Sequence, residues 1–230
     1  MKSKEQTKRK LIDAVGEIFK TEGPSGLGVN KVARMAGVSK KLIYRYFTSF
    51  EELVETYVLE TDYWMVFSEN VQQLIEVTYA ADSQKLVTDL LQNQFRYFYN
   101  EKQMQKLITW EISSNSDLMR SIHNVRETMG QKVLEFTDGH FKNSPVNFRA
   151  VSALLVGGIY YTILHSRYNG GIFSGIDLST EKGREEIIRT IQNIVEWAYK
   201  AWTAPQPNLI PWHTKVNSSQ GGTSIDNAIL

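Results

Sequence analysis

Cysteine is absent from this 230-residue chain. That one absence removes disulfides, thiolate nucleophiles and cysteine-ligated zinc together. The four histidines, His123, His140, His165 and His213, are widely spaced. No two stand as the i, i+4 pair that places imidazoles on one helix face for a metal. The glycine pairs at 157–158 and 170–171 lack the strand-to-helix setting of a phosphate loop. No G-x-S-x-G elbow is present, and nothing in the sequence brings the plentiful serines and acids together. These gaps point away from an enzyme and predict neither a metal nor a cofactor. The longest strongly apolar run, Ala153–Leu164, falls short of the roughly 20 residues of a membrane span. The N-terminal MKSKEQTKRK is charged and runs into an amphipathic pattern, unlike a signal peptide, so the expected location is the cytoplasm. No stretch alternates apolar and polar residues persistently, and no internal repeat is evident.

What is present is an ordinary globular balance, 42% hydrophobic and 22% charged, with a lopsided arrangement of charge. Residues 1–46 hold 11 Lys/Arg against 4 Asp/Glu, whereas the rest hold 15 against 21. Such a split predicts that the N-terminal end meets a polyanion, because Lys and Arg gain affinity by neutralising phosphates.

The stretch Val29–Phe47, VNKVARMAGVSKKLIYRYF, reads as two short helices around a turn. Val29, Val32, Ala33 and Ala36 recur at i, i+3, i+4, i+7, giving the first helix one apolar face. Gly37 suits the left-handed residue that ends a helix, and Ser39 is placed to cap the next. Ile43 and Phe47 seat the second helix, leaving Lys40, Lys41, Leu42, Tyr44 and Arg45 facing outward. A short helix offering cations, a hydroxyl and a ring suits the DNA major groove. Before it, Thr7–Thr21 carries Leu11, Ile12, Val15, Ile18 and Phe19 on one face. Lys8, Arg9 and Lys10 at its start are placed to lie along a phosphate backbone. After it, Ser49 and Glu52 have capping-box spacing and open a fourth helix expected to continue to about Leu74.

The LIDAVGEIFKTEG first helix, VARMAGVS, the closing YRYF and the following EEL resemble the DNA-binding domain of TetR-type transcriptional regulators. The resemblance covers about Thr7 to Leu53 and no more of the chain. It implies an all-α protein: an N-terminal three-helix helix-turn-helix DNA-binding domain, then a helical ligand-binding and dimerisation domain. It also implies that the recognition helix carries Lys40, Lys41, Leu42, Tyr44 and Arg45, with Ser39 at its start. Val29, Asn30 and Tyr46 would then stand at phosphate-contacting positions, beside Lys8 of the basic start of the first helix. Two departures are visible. Phe50 stands where the family usually has a lysine, and Lys41-Leu42 replaces the common small-residue and threonine pair, so the bases read should differ. The partners implied are an operator on double-stranded DNA, a second copy of the chain and an unidentified small-molecule inducer, with no membrane. The alternative is a helical scaffold that has lost specific DNA binding.

The remaining chain reads as helices opened at Asp82 or Ser83, near Glu101, at Ser116 or Asp117, after Pro145-Val146-Asn147 and at Thr180. The division expected is 1–48, DNA binding; 49–203, ligand binding and dimerisation; and 204–230, a loosely ordered tail containing Pro205, Pro207 and Pro211. Ring-bearing and histidine positions in the middle supply candidate ligand contacts: Tyr63, Trp64, Phe67, Phe95, Phe98, Trp110, His123, Tyr161 and His165. The last two long helices resemble the family's dimerisation pair. That likeness nominates Leu154, Gly157, Gly158, Tyr161, Ile187, Ile191, Ile194 and Trp202 for a four-helix interface. The glycines at 157 and 158 would offset their helix cost, on the order of 1 kcal/mol each, through a close helix crossing.

Overall fold

A computed structural model describes residues 2–62, 82–114 and 116–203. Nine α-helices are found among these residues: α1 Lys2–Glu22, α2 Val29–Met35, α3 Lys41–Tyr46, α4 Phe50–Thr61, α5 Ser83–Asn100, α6 Lys102–Ser113, α7 Asp117–Phe141, α8 Phe148–Tyr168 and α9 Glu181–Thr203. A 3₁₀ turn at Pro24–Gly26 joins α1 to α2. The expected tail and Asn115 lie outside the described residues, as do Tyr63, Trp64 and Phe67 and the side chain of Trp202.

Capping residues set many of the boundaries, because the first N–H groups of a helix have no partner within it. Ser49 Oγ accepts from Glu52 N at 3.0 Å while the Glu52 carboxylate accepts from Thr48 N at 2.7 Å. Asp82 accepts from Lys85 N, Ser116 from Met119 N and Asn147 from Ala150 N. Ser39 behaves differently. Its hydroxyl meets Lys41 N only at 3.4 Å, while its carbonyl accepts from Leu42 N at 2.9 Å. α3 therefore starts on a tight 3₁₀-like turn at Lys40, in place of the expected serine cap.

α4 also departs from expectation. It ends at Thr61, where Asp62 turns extended (φ −72°, ψ 131°), so no unbroken helix runs on toward Leu74. The segment before α9 holds a two-residue antiparallel hairpin, Ile172–Phe173 with Ile176–Asp177. Ser174 (φ 50°) and Gly175 (φ 78°) form its turn, the positive-φ pair that a two-residue hairpin favours.

The helices enclose one continuous apolar core. At the N-terminal end, Leu11, Val15, Ile18, Val32, Ile43 and Leu53 are completely buried. α1 packs on α2 and α4, and Phe19 meets Tyr57 of α4 and Trp110 of α6. In the C-terminal body α9 packs along α5, and α5 in turn packs against α8. Gly183 sits at a required close approach, since a Cβ there would stand 1.9 Å from the Asp177 carbonyl oxygen. α8 has the length and hydropathy of a membrane span, a stretch longer than its central apolar run suggested. It is seated on the body through Ser152, Ile159 and Ile163.

Candidate nucleic-acid interface and ligand cavity

α3 is held by its buried side and presents the other. Ile43 is wholly buried and Phe47 nearly so, and these two anchor the helix on α1 and α4. Gly37, at φ 66°, makes the reversal that sets α3 across α2. Val38 N then donates back to Ala33 O at 3.0 Å, closing the turn. Lys40, Lys41, Tyr44 and Arg45 are exposed around the outward face, Tyr44 at 55%, and Leu42 is half-buried at its edge. Among the described residues no ion pair involves Lys40, Lys41 or Arg45, so this cationic face carries no internal counter-charge.

The N-terminal basic run divides on inspection. Arg9 is bound to Asp13 and to Glu60, at 2.8 and 2.7 Å. Partial burial alone would lower its pKa, but hydrogen bonds to those carboxylates outweigh burial and hold it above the ordinary value. Arg9 is thus committed to the fold. Lys4 and Lys8 lie instead beside the end of α3, with ammonium groups 5.9 Å from the Tyr46 ring centre and 5.5 Å from that of Phe47. Asn30 is exposed and Val29 half-buried in the first turn of α2. Phe50 packs half-buried against the core. A bank of cations therefore runs from the start of α1 across the outward face of α3.

A second feature lies in the body. A cavity of about 530 Å³ opens between α5, α6, α7 and α8. Its apolar wall includes Val87, Leu90, Leu91, Val133, Leu134 and Val156, with Tyr160 beside them. Its polar wall holds Glu111, His123, Arg126, Glu127, Arg149 and Ser152. Arg149 is paired with Asp138 at 2.6 Å, and that hydrogen bond draws the Asp138 carboxyl below its usual range.

Of the nine ligand candidates named from sequence, His123 lines this cavity. Phe95 and Phe98 lie in the core, each 1% exposed, with Phe98 against Tyr160 at 4.7 Å. Trp110 sits at the junction with α1. Tyr161 and His165 cluster with Phe173 of the hairpin, away from the cavity lining. The residue that sequence reading missed is Arg126. It carried no signal, because its partners Asp62 and Glu111 are 64 and 15 residues away.

The nominated dimer residues also separate. Leu154, at 78% exposed, lies on the outer face of α8 with Gly158 and Tyr161, whereas Gly157 is exposed at the edge of that face and lines the cavity. A Cβ at either glycine would meet nothing within 4 Å, so no crossing inside the chain needs them. Ile187 and Ile194 are half-buried, whereas Ile191 is 3% exposed and belongs to the core. Trp197, 62% exposed on α9, was not foreseen because it falls off the isoleucine stripe.

Residues 11–57 match the family model of bacterial regulatory proteins, tetR family. An uncharacterised HTH-type transcriptional regulator of Mycobacterium tuberculosis, Rv1255c, is 39% identical over 49 residues, 21% of this chain and 24% of that one. The probable HTH-type transcriptional regulator YttP of Bacillus subtilis is 26% identical over 119 residues, 52% of this chain and 56% of that one. The chain thus matches about a quarter and about half of these relatives' lengths. Among solved structures, the transcriptional regulator FadR of Bacillus subtilis, in complex with stearoyl-CoA, superposes with a TM-score of 0.60 at 17% identity. That likeness of fold covers 84% of this chain and 98% of FadR. The head built from α1 to α4 thus carries, over residues 11–57, the match to bacterial regulatory proteins of the tetR family, with a helical body behind it.

Proposed function

We propose that this protein is a ligand-responsive, DNA-binding transcriptional regulator that represses by occupying a pseudo-palindromic operator as a homodimer in the cytoplasm. The observation that carries this reading is the exposed Lys40, Lys41, Tyr44 and Arg45 face of α3, fixed from behind by buried Ile43 and Phe47. A helix so mounted offers cations and a ring-borne hydroxyl to base edges, while Lys4, Lys8, Asn30 and Tyr46 beside it are available to phosphates. On this reading residues 1–48 read DNA and residues 49–203 bind the ligand and the second copy, and no catalytic step is assigned.

Dimerisation supplies what one six-residue helix lacks. A single recognition helix reads few bases, whereas a two-fold pair reads two half-sites. The exposed Leu154 and Tyr161 of α8 and Trp197 of α9 support pairing through these helices, with the bare glycines allowing close approach. The mainly apolar cavity supports a small ligand with an apolar body. The Bacillus subtilis neighbour holds such a compound, stearoyl-CoA, in its own structure. Ligand binding would weaken DNA affinity only to the extent that the ligand prefers the DNA-incompetent state.

The test is salt-titrated binding to fragments of the DNA upstream of the gene. Saturable binding to one fragment, surviving competitor DNA, is the expected result. Replacing Lys40 and Tyr44 together by alanine should lower operator affinity at least about tenfold, since each good base contact is worth roughly 1–3 kcal/mol. Unchanged affinity in that double variant would remove α3 as the reading face. Absence of binding even at low salt would favour a helical scaffold, the reading to which Phe50 at the family's lysine position gives some support.

A further inference from the structure

The cavity and the head are joined by one buried cation. Arg126, on α7, donates from Nε to Asp62 and from Nη1 to Glu111 of α6. The three side chains are 10%, 1% and 16% exposed. Burial alone would depress the guanidinium's pKa, but the charges of Asp62 and Glu111 outweigh it and raise it above the ordinary value. Arg126 is therefore a fixed cation. Its Nη2 is nevertheless buried without a hydrogen-bond partner. An unpaired donor on a buried charge is costly, and a guanidinium has five N–H groups to satisfy.

The positions of the three residues give this defect a direction. Arg126 and Glu111 stand in the cavity wall, whereas Asp62 is not among its lining residues. Asp62 caps the C-terminal end of α4. That helix buries Leu53, Val54, Tyr57 and Val58 in the core beneath the DNA-reading head. Only one other side-chain bond ties α4 to α7 among the described residues, Ser121 Oγ to Glu55 Oε1 at 2.5 Å. Arg126 thus has the cavity within reach and the end of α4 in its grip.

We propose that the cavity takes a monoanionic amphiphile whose head group engages Arg126 in competition with Asp62, loosening the end of α4. The inference rests on the cavity's being the ligand site proposed above, and it adds the ligand's charge and the contact that reports its arrival. The orphaned polar atom belongs to a residue of the cavity wall and is the donor of a cation, so an anionic acceptor that reaches it completes it. Glu111 is already bound to Arg126, and His123 Nδ1 lies 3.6 Å from its other oxygen, so it has little to offer a ligand cation. Glu127 at the rim is exposed, where solvent screens its repulsion of an anion. Two buried carboxylates already share one guanidinium. A third anion must compete with them for that cation, and a carboxylate displaced at the C-cap of α4 is left a buried, unpaired charge whose cost falls on the end of that helix. The apolar wall from Val87 to Val156 takes the body of the ligand.

The test uses the full chain and a series of straight-chain and aromatic carboxylates, each paired with the alcohol of the same skeleton. Calorimetric titration of the wild type should show at least one carboxylate binding about tenfold or more tightly than its alcohol. Arg126→Gln should erase that preference while keeping the alcohol's affinity. If Arg126→Gln fails to fold, Asp62→Asn gives an independent reading: removal of the competing carboxylate should tighten carboxylate binding and leave the alcohol unchanged. It should also shrink the effect of the carboxylate on operator affinity. Equal affinity for carboxylate and alcohol throughout the series, or a preference that survives Arg126→Gln, overturns the proposal. Weaker carboxylate binding in Asp62→Asn overturns the competition. Because calorimetry needs no DNA, these outcomes are separate from a failure to bind any operator, which would count against the proposed function alone.

Discussion

The head and the body of this molecule are built to different standards of completion. In the head, from α1 to α4, the apolar side chains close on one another, and Arg9 and Lys31 are tied to Glu60 and Glu22. The body contains a cavity of about 530 Å³ and an exposed apolar face on α8 and α9. Among the described residues, the buried side-chain polar atoms without partners belong to Gln94, Arg126 and His165, all in the body. Close packing makes an element rigid, whereas voids and unpaired polar groups leave room for a second arrangement. On the proposed function, a reading head needs one shape and a sensing body at least two. The difference teaches where to look for each activity.

Substitutions can break or sharpen that contrast. Ile43→Ala should be the most damaging, because it empties a wholly buried site in the closed head. A loss of about 2–5 kcal/mol in chemical denaturation is expected, with operator binding falling in step. A loss under about 1 kcal/mol would show the head to be loosely packed after all. Gly183→Ala tests the tightest backbone approach in the body, where a Cβ would strike the Asp177 carbonyl. A cost of about 1–3 kcal/mol is expected from thermal unfolding, and a neutral result would mean that the hairpin yields as freely as the cavity region.

Ser49→Ala removes the cap of α4, the helix shared by both regions. About 1 kcal/mol of destabilisation is expected, and Ser49→Asp should restore it. The smallest effect belongs to Asp138→Asn, which removes the partner of Arg149 in the cavity wall. Hydrogen bonding to Arg149 lowers the Asp138 pKa in the folded protein, so its contribution is present above the ordinary carboxylate range. It is lost as pH falls through the lowered value. The variant should therefore trail the wild type by under about 1 kcal/mol at neutral pH, because the pair is exposed and screened. The gap should close on acidification below about pH 4. A gap that persists in acid would mean that the pair acts through packing.

Much of this could be read from the chain because the signals were local. The turn at Gly37, the stripe Leu11–Phe19 and the caps at Ser49, Asp82, Ser116 and Asn147 each depend on residues within a few positions. The end of α4 at Asp62 was missed because no glycine or proline marks it; a residue of α7 holds Asp62 instead. Ile191 is nominated for the dimer interface from the apolar stripe of α9 but is buried within the chain, because a periodic pattern shows that a face is apolar without showing what covers it.

By itself, then, the sequence determined the helical class, the turn that sets α3 across α2 and the side chains α3 presents outward. Helical periodicity and capping act over three or four residues, and their record is local. Only the tertiary structure decided that Arg9 and Lys31 are spent on Glu60 and Glu22, where the body stays unfilled, and that Arg126 joins the cavity to the end of α4. Those outcomes depend on side chains brought together from across the chain, and a linear sequence carries no period for such meetings.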